Sequence, residues 1–291
     1  MTQTEDHARL VWPLQATLGE GPIWVPGEGA LWFVDIKSGR LHRFVPEGGE
    51  STSFDIGGRP SFAVLAPGGG LIVGNGNALQ RVEGGAVVAT IATIDMPAHN
   101  RTNDATVDAA GRLWFGTMDD DETAATGRVY RFDGMMHEVG GACTITNGPA
   151  VSPDGRHLYH VDTLAGQIWR FDLAGDTDAL VAGTPFVTID PADGHPDGVT
   201  VDAEGCVWVG LWGGWCARRY DASGTLLTTI RLPCANVTKV AFGGNDLRTG
   251  YITTARKGLS EAELAAQPLA GGLFAFDAPA PGQPAYPVMI G

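Results

Sequence analysis

A short apolar triplet recurs six times along this chain, and its spacing restricts the fold more than any other feature. The copies begin at Leu31, Leu71, Leu113, Leu158, Val207 and Tyr251, so successive copies are 40, 42, 45, 49 and 44 residues apart. Repeats of this length, built from short β-branched and aromatic runs, are typical of propellers in which each copy forms one small antiparallel sheet. The repeat therefore predicts an all-β protein, a six-bladed β-propeller that takes up residues 1–291 as a single domain.

Turn sequences separate the apolar runs inside each copy. Residues 152–155 (Ser-Pro-Asp-Gly) and 202–205 (Asp-Ala-Glu-Gly) have the composition of tight turns. The stretch Arg9–Trp12 precedes the first copy, and we expect it to pair with strands of the last copy, which would close the ring and leave no open sheet edge. One helix is predicted, over residues 260–267, because Ser260 and Glu263 can form a capping box there.

A polar residue stands ten or eleven residues before five of the six triplets. These residues are Glu20, Ser61, Asn103, Asn147 and Asp197, and a looser sixth copy has Thr238 thirteen residues before Tyr251. We place each one immediately before the first, innermost strand of its blade, so that its side chain points toward the central axis. Asn, Asp and Glu at strand starts also cap turns or bond nearby backbone, which is the alternative for any one of them. Four amide or carboxylate groups in one register favour a shared role.

The shared role that their chemistry favours is metal binding. Two carboxylates and two amides facing one channel are costly to bury unless a cation satisfies them, because like charges raise one another's pKa. Oxygen donors suit calcium, magnesium, manganese or ferrous iron better than a metal that prefers thiolates. We therefore predict one divalent metal on the central axis, with its identity open among Fe²⁺, Ca²⁺, Mn²⁺, Zn²⁺ and Mg²⁺.

Charge and absent motifs exclude several other classes of function. The net charge of −14 repels nucleic acid and anionic membrane surfaces. The start of the chain lacks the basic and apolar segments of a signal peptide, so we expect a cytoplasmic protein, and a monomer. No G-x-S-x-G, H-E-x-x-H or P-loop sequence is present. The four cysteines show no C-x-x-C spacing and are interpreted as small buried apolar residues.

Several longer segments resemble one known family. In order along the chain they are Leu-Gly-Glu-Gly-Pro-Ile-Trp at 18–24, Phe-Val-Asp-Ile at 33–36, Asn-Arg-Thr-Asn-Asp at 100–104, Gly-Thr-Met at 116–118, Ile-Thr-Asn-Gly at 145–148, His-Pro-Asp-Gly at 195–198 and Thr-Ala-Arg-Lys-Gly at 254–258. Together they resemble the senescence-marker-protein/gluconolactonase family, which also includes regucalcin, from about Leu14 to Phe276. Residues 210–214 and 267–272 are most similar to its bacterial sugar-acid lactonases, such as xylonolactonase and arabinonolactonase.

The resemblance implies roles for individual residues. It implies a six-bladed propeller with one divalent metal held by Glu20, Asn147 and Asp197, a subset of the four positions found from the repeat. It places Arg101 and Asn103 at the substrate. Family members also use an acidic residue shortly after Gly-Thr-Met, where residues 119–122 are all acidic here. We assign Asp121 to that role, with a solvated loop as the alternative.

The function that follows is hydrolysis of a sugar-acid lactone. A single Lewis-acid cation with open coordination positions can polarise the ester carbonyl and activate water, and Asp197 is the ligand best suited to act also as the base. The substrate would be a small aldonolactone, a pentonolactone or gluconolactone. The alternatives are a calcium-binding regulatory protein without turnover, a propeller that binds other proteins, and a metal-dependent propeller hydrolase of aryl esters or phosphotriesters. Four aromatic residues could line the pocket or belong to the core: Trp212, Trp215, Phe62 and Tyr130.

Overall fold

A computed structural model describes residues 3–173, 179–180 and 183–290. Within these residues the strands form six sheets, five of four strands and one of five. In four sheets the strands are consecutive in sequence and antiparallel, so each sheet is a simple meander. The prediction of an all-β, six-bladed propeller is confirmed.

The strands before the first blade are β1 (Thr4–His7) and β2 (Arg9–Trp12). Blade 1 contains β3 (Gly19–Val25), β4 (Ala30–Asp35), β5 (Arg40–Val45) and β6 (Glu50–Asp55); blade 2 contains β7 (Pro60–Leu65), β8 (Leu71–Asn75), β9 (Ala78–Glu83) and β10 (Ala86–Thr93); blade 3 contains β11 (Asn100–Val107), β12 (Leu113–Asp119), β13 (Gly127–Phe132) and β14 (Met136–Cys143).

The second half of the ring follows the same plan. Blade 4 contains β15 (Thr146–Val151), β16 (His157–Asp162), β17 (Gln167–Asp172) and β18 (Thr184–Thr188); blade 5 contains β19 (His195–Val201), β20 (Val207–Trp212), β21 (Cys216–Tyr220) and β22 (Leu226–Arg231); blade 6 contains β23 (Val237–Gly243), β24 (Thr249–Thr254) and β25 (Leu273–Asp277). Two short 3₁₀ helices lie at Pro26–Glu28 and Pro191–Asp193.

The first strand of every blade lies next to the axis. Each of β3, β7, β11, β15, β19 and β23 contacts the first strand of the blades on both sides, which closes an inner ring. All six strands run in the same direction along the channel because each one begins its blade's meander. Residues at equivalent positions of the six strands therefore meet at one level of the axis. The start of each strand lies at one end of the channel, here called the upper end.

The ring is closed by the beginning of the chain. β2 pairs antiparallel with β25, with Arg9 opposite Ala275, and so becomes the outermost strand of blade 6. This confirms the predicted pairing of Arg9–Trp12 with the last copy of the repeat. β1, which precedes β2 in the chain, pairs in parallel with β22 and so adds a fifth strand to blade 5. The first residues thus hold blades 5 and 6 together.

An aspartate organises the turn between the first two strands of blades 3 and 5. Asp108 accepts hydrogen bonds from the backbone N–H of Ala110 and Arg112, and its second oxygen accepts one from the Trp114 indole at 2.9 Å. In blade 5 Asp202 bonds the Trp208 indole in the same way, at 3.0 Å. A carboxylate six residues before tryptophan therefore fixes both the turn and the buried ring on the following strand.

The predicted helix is present. α1 (Glu261–Ala266) has Ser260 as its N-cap, and Ser260 and Glu263 form both hydrogen bonds of the capping box. The four cysteines are buried and free. In the part of the chain that the structure describes, no helix is long and apolar enough to cross a membrane.

The end of the chain crosses the lower end of the channel. Gln283 donates hydrogen bonds from its side-chain amide to the carbonyl oxygens of Val151 in blade 4 and Val201 in blade 5, at 3.0 and 2.9 Å. The N–H of Val288 then bonds the carbonyl of Leu65 in blade 2. The last residues of the chain therefore tie blades 2, 4 and 5 together at this end.

Candidate active site

The six polar positions of the repeat lie near the starts of the innermost strands, at the upper end of the channel. Glu20 is the second residue of β3, Asn147 the second of β15, and Asp197 the third of β19. They lie inside the innermost strands, not immediately before them, so the predicted strand starts were two to four residues late. In every one of the six strands the pairing with the next strand shifts register close to this position. Such a bulge re-aims a side chain, which lets a polar residue inside a buried strand face the axis.

Two of the six positions carry hydroxyls that bond a neighbouring blade. Ser61 Oγ donates to the Thr102 hydroxyl at 2.8 Å, and Thr238 Oγ1 is 2.7 Å from the carbonyl oxygen of Gly19. Their hydroxyls therefore tie neighbouring blades together. The other four positions are those that the repeat singled out, and all four side chains are buried: Glu20, Asn103, Asn147 and Asp197.

A chain of hydrogen bonds orients the two amides. Arg101 donates from Nη1 to Asn103 Oδ1 at 2.6 Å, and Asn103 Nδ2 donates to Asn147 Oδ1 at 2.8 Å. Asn147 Nδ2 in turn donates to the Thr163 hydroxyl at 2.9 Å. Because Arg101 can only donate, it fixes which end of each amide presents oxygen. The structure thus brings Arg101, Asn103 and Asn147 into one network.

A glycine follows each of the two ring carboxylates, and its lack of a side chain lets the innermost strand lie close to the next blade. Gly21, after Glu20, has a φ of +53°, and a methyl group there would lie 2.6 Å from the Cα of Phe62 in blade 2. At Gly198, after Asp197, a methyl group would lie 2.8 Å from the side chain of Lys239 in blade 6. A larger residue at Gly21 would clash with the backbone of blade 2, and one at Gly198 would clash with the stem of Lys239.

The two ring carboxylates are in an environment that disfavours their charge. Burial, together with the charge of the nearby Asp104 carboxylate, raises the pKa of Glu20 to about 8. Burial also raises the pKa of Asp197 well above its usual range, and the charges of Glu20 and Asp104 act in the same direction. A bound cation would reverse this balance, because it favours the ionised form of both groups.

The donor set fits a hard divalent cation. Glu20 and Asp197 carry buried carboxylate oxygens, and Asn147 carries a buried amide oxygen, which are the kinds of ligand that such a cation binds. Among residues 3–173, 179–180 and 183–290, no group of three or more His, Cys, Asp or Glu side chains could hold a metal ion. A site here would therefore depend on the amides as well as the two carboxylates, which favours oxygen-seeking metals over zinc.

The four acidic residues at 119–122, where β12 ends, differ in burial and in the groups they contact. Asp119 is buried, and hydrogen bonds to its carboxylate, led by that from the N–H of Ala124, lower its pKa. Asp120 contacts three cations: Arg101 Nε at 2.6 Å, Lys37 Nζ at 2.8 Å and Arg59 Nη1 at 3.3 Å. Burial alone would raise the pKa of Asp120, but the bonds from Lys37 and Arg101 lower it to about 2.

The next two residues of this run are less buried than Asp119. Asp121 is exposed, so the structure leaves its side chain apart from Arg101 and Asn103. Glu122 forms an ion pair with Lys257, which follows β24 in blade 6. The loop after β12 therefore reaches from blade 3 to the opposite blade. Sequence reasoning did not find Asp120 as the partner of Arg101, because turn geometry decides which of four adjacent acids points inward.

The structure also adds two charged residues that sequence reasoning missed. Asp104 and Lys239 are buried and form an ion pair at 2.5 Å beside the ring. The sequence signal that could have indicated this pair is a lysine, Lys239, within the otherwise uncharged strand β23. Of the aromatic candidates, Phe62 and Tyr130 are packed in one hydrophobic cluster, as the core alternative expected, and Trp215 is 41 % exposed.

A family model with the description SMP-30/Gluconolactonase/LRE-like region matches residues 18–256. The chain belongs to this family. It is 36 % identical to pentonolactonase XacC of Haloferax volcanii over 276 residues, covering 92 % of this chain and 94 % of that protein. It is 34 % identical to 6-deoxy-6-sulfogluconolactonase of Pseudomonas putida over 271 residues, with 92 % and 93 % covered. The resemblance noted from the sequence motifs is confirmed.

Solved structures agree with this assignment. A calcium-binding protein, regucalcin, from Agrobacterium tumefaciens superimposes with a TM-score of 0.92 at 26 % identity, and 99 % of both chains is covered. A gluconolactonase from Xanthomonas campestris superimposes with a TM-score of 0.75 at 22 % identity, over 94 % of this chain and 90 % of that one, and shows the shared fold.

Proposed function

We propose that this protein is a lactonase that hydrolyses an aldonolactone to its aldonic acid with one divalent metal on the propeller axis. Glu20, Asn147 and Asp197 would hold the metal. The observation that carries the proposal is the burial of Glu20 and Asp197 together at one level of the axis, where burial raises the pKa of both. Membership of the gluconolactonase family and the named activities of the relatives support the reaction.

The remaining polar residues of the site would bind the sugar. Arg101 Nη1 already donates to Thr102 and Asn103, so Nη2 would donate to the ring oxygen, the carbonyl or the hydroxyls of a lactone. Asn103 Nδ2 already donates to Thr146 and Asn147, so Asn103 would accept a hydroxyl of the sugar through the second lone pair of Oδ1. Asp120 holds Arg101 in place, because it accepts the Nε bond at 2.6 Å while Nη1 bonds Asn103. Asp121 is exposed at the mouth and would contact the substrate's outer hydroxyls.

The reaction adds water to the lactone carbonyl and then breaks the bond between that carbon and the ring oxygen. When bound, the divalent metal supplies Lewis-acid polarisation of the carbonyl and lowers the pKa of water. A carboxylate oxygen of Asp197 accepts the proton of the attacking water, and that proton is then delivered to the departing ring oxygen. Arg101 stabilises the negative charge that develops on the carbonyl oxygen.

Within the aldonolactones, we favour a pentonolactone such as xylonolactone or arabinonolactone, with gluconolactone next. The support is the 36 % identity to a pentonolactonase over nearly the whole chain. The proposal includes action as a cytoplasmic monomer on a small molecule, without nucleic acid or membrane as a partner. The net charge of −14 supports that last point.

A second candidate is a calcium-binding regulatory protein without turnover. It is favoured by the superposition on a calcium-binding regucalcin, and it would use the same carboxylates. The orientation of Arg101 and the two amides toward the ring weighs against it, because calcium binding alone does not require a buried guanidinium beside the site.

The test is a substrate panel measured by proton release in a weak buffer. The protein is stripped with a chelator and reloaded separately with Ca²⁺, Mn²⁺, Mg²⁺, Fe²⁺ or Zn²⁺. The panel contains xylonolactone, arabinonolactone, gluconolactone, an aryl ester and a phosphotriester. We expect lactone-dependent proton release that disappears after chelation and returns with metal. Turnover that is restricted to the aryl ester or the phosphotriester would refute the lactonase proposal, and calcium binding without any turnover would favour the regulatory alternative.

A further inference from the structure

An ion pair crosses the central channel directly beside the ring. Lys239 in β23 of blade 6 reaches Asp104 in β11 of blade 3, with Nζ 2.5 Å from Oδ1. Blades 3 and 6 are opposite one another in a ring of six, so the lysine side chain spans the axis. The side chains of Lys239 and Asp104 are 7 % and 2 % exposed.

Both partners are held firmly in position. Lys239 Nζ also donates to the carbonyl oxygen of Ala105 at 3.3 Å. Asp104 accepts hydrogen bonds from the N–H of Ala105 at 2.8 Å and of Gly148 at 3.1 Å. The stem of Lys239 packs against Gly198, where a methyl group would come within 2.8 Å of it. Neither charge can turn away into solvent.

The pair lies immediately below the proposed metal ligands. Asp104 follows Asn103, Lys239 follows Thr238, and the stem of Lys239 covers the residue after Asp197. Lys239 also lines a cavity of about 330 Å³ that extends toward Gln283 at the lower end of the channel, whereas the four ring residues do not line it. The pair thus forms the floor of the upper site.

The two charges act on the ring in opposite directions. Asp104 opposes ionisation of Glu20 and Asp197, and Lys239 favours it. For a cation in the ring the signs are reversed, because the ammonium repels it and the carboxylate attracts it. Coulomb interactions of this kind are strong here because both groups are buried and only weakly screened.

We propose that Lys239 and Asp104 are a positioning pair that sets the affinity of the axial site for a divalent cation. With both ligand carboxylates ionised, Lys239 weakens cation binding and Asp104 strengthens it, so their combined effect is small. This inference rests on the proposed function in so far as the cation is the one bound by Glu20, Asn147 and Asp197. If the pair serves only to pack the channel, loss of either partner should disturb the ring and weaken cation binding.

The test is a double-mutant cycle in which the affinity for a divalent cation is measured. The variants are Lys239→Met, Asp104→Asn and the double variant, which removes both charges while largely keeping the shapes. Affinity for Ca²⁺ alone and for Mn²⁺ alone is measured by titration calorimetry on metal-free protein, and thermal unfolding is recorded with and without the ion. The matched control is Arg219→Met, which breaks the buried Arg219–Asp202 pair at the end of β19 away from Asp197.

We expect Lys239→Met to bind the cation at least tenfold more tightly and Asp104→Asn at least tenfold more weakly, with the double variant within about threefold of the wild-type protein. Metal-free Lys239→Met should also unfold at a lower temperature than the metal-free wild-type protein. Its unfolding temperature should rise more on addition of Ca²⁺. Arg219→Met should lose stability with its cation affinity unchanged. If Lys239→Met cannot be isolated in folded form, the double variant is compared with Asp104→Asn. Tighter cation binding by the double variant supports the proposal, and equal or weaker binding overturns it.

Weaker binding in both single variants would overturn the inference and leave the lactonase proposal intact, because the wild-type protein would still bind metal and turn over lactone. Opposite shifts in affinity without lactone hydrolysis would support the pair's role and refute the lactonase proposal instead. Absence of any Ca²⁺ or Mn²⁺ binding by the wild-type protein would overturn both.

Discussion

Glu122 and Lys257 form an ion pair between opposite sides of the propeller. Glu122 belongs to the loop after β12 in blade 3, and Lys257 follows β24 in blade 6. Both segments lie at the end of the channel where the inner strands begin. The loop is therefore held across the mouth of the candidate site, with Asp120 attached to Lys37 and Arg59 on its other side.

Glu122→Gln should loosen this loop. If the loop covers bound substrate without touching the reacting atoms, KM for the lactone should rise about three- to tenfold with a smaller change in kcat. The free energy of unfolding should change by less than about 1 kcal/mol, since the pair is partly exposed. The control is Glu83→Gln, which breaks the Arg81–Glu83 surface pair in blade 2. An unchanged KM would show that the loop does not cover the substrate.

Arg101→Lys should impair turnover although the positive charge is kept. Arg101 uses two different nitrogens to hold Asn103 and Asp120, and an ammonium cannot reproduce that fork. We expect kcat/KM to fall about a hundredfold, because the orientation of Asn103 is lost. Arg128→Lys, at a half-exposed arginine paired with Glu138, is the control. Equal losses in the two variants would contradict a specific role for Arg101.

Asp197→Ala should remove both metal binding and turnover. A saturating metal at about a hundredfold excess over its Kd stabilises the folded state by about 2.7 kcal/mol. Thermal unfolding of the wild-type protein should therefore shift downward on chelation and upward on reloading, and the variant should show neither shift. The control is Asp154→Ala, an aspartate that bonds Ser152 in a surface turn. Native turnover by Asp197→Ala would exclude this carboxylate as ligand and base.

Much of the fold and of the ring could be predicted because both repeat along the chain. The apolar triplets mark the second strand of each blade, and a constant offset places Glu20, Asn103, Asn147 and Asp197 in equivalent positions. The strand starts were missed because a bulge lets a polar residue sit inside a buried strand. The floor of the site was missed because it joins residues 135 positions apart in opposite blades, and no periodicity predicts such a contact.

The turn after β12 could not be predicted for a different reason. Four acids follow one another there, and their order gives no indication of which one faces Arg101. In the structure Glu122 has a φ of +59°, and the turn leaves Asp120 facing inward and Asp121 exposed. Local backbone geometry, which the composition of the run does not specify, decides the contact.

Two buried histidines should make the protein sensitive to acid. Burial lowers the pKa of His42 and of His160 to about 4. Each is neutral in both states above pH 6.5, but between pH 6.5 and 4 only the unfolded chain takes up the proton. The free energy of unfolding should therefore fall through that window, by roughly 3 kcal/mol for each histidine at its lower end.

His160→Leu should remove its share of this acid sensitivity. We expect the stability of the variant, relative to the wild-type protein, to improve as the pH is lowered from 6.5 to 4, measured by urea unfolding at several pH values. His7→Leu, at an exposed position in β1, is the control and should leave the slope unchanged. A parallel slope for His160→Leu would mean that His160 takes up its proton equally well in the folded protein.

Trp12 should be a main contributor to closure of the ring. It lies in β2, the strand that the start of the chain adds to blade 6, yet its ring packs against blade 1. The centroid of its ring is 5.7 Å from that of Phe33, edge to face, and 6.4 Å from that of Phe44. It therefore joins the last blade to the first at the point where the ring would otherwise open.

Trp12→Ala should lower the free energy of unfolding by about 2–3 kcal/mol, because a half-buried indole and its aromatic contacts are lost. Trp12→Phe should recover part of that loss, and Trp215→Ala, where the indole is 41 % exposed, should cost much less. Thermal and urea unfolding measure all three. If Trp12→Ala were no more destabilising than Trp215→Ala, closure would rest on the backbone pairing of β2 with β25 and not on this contact between blades 6 and 1.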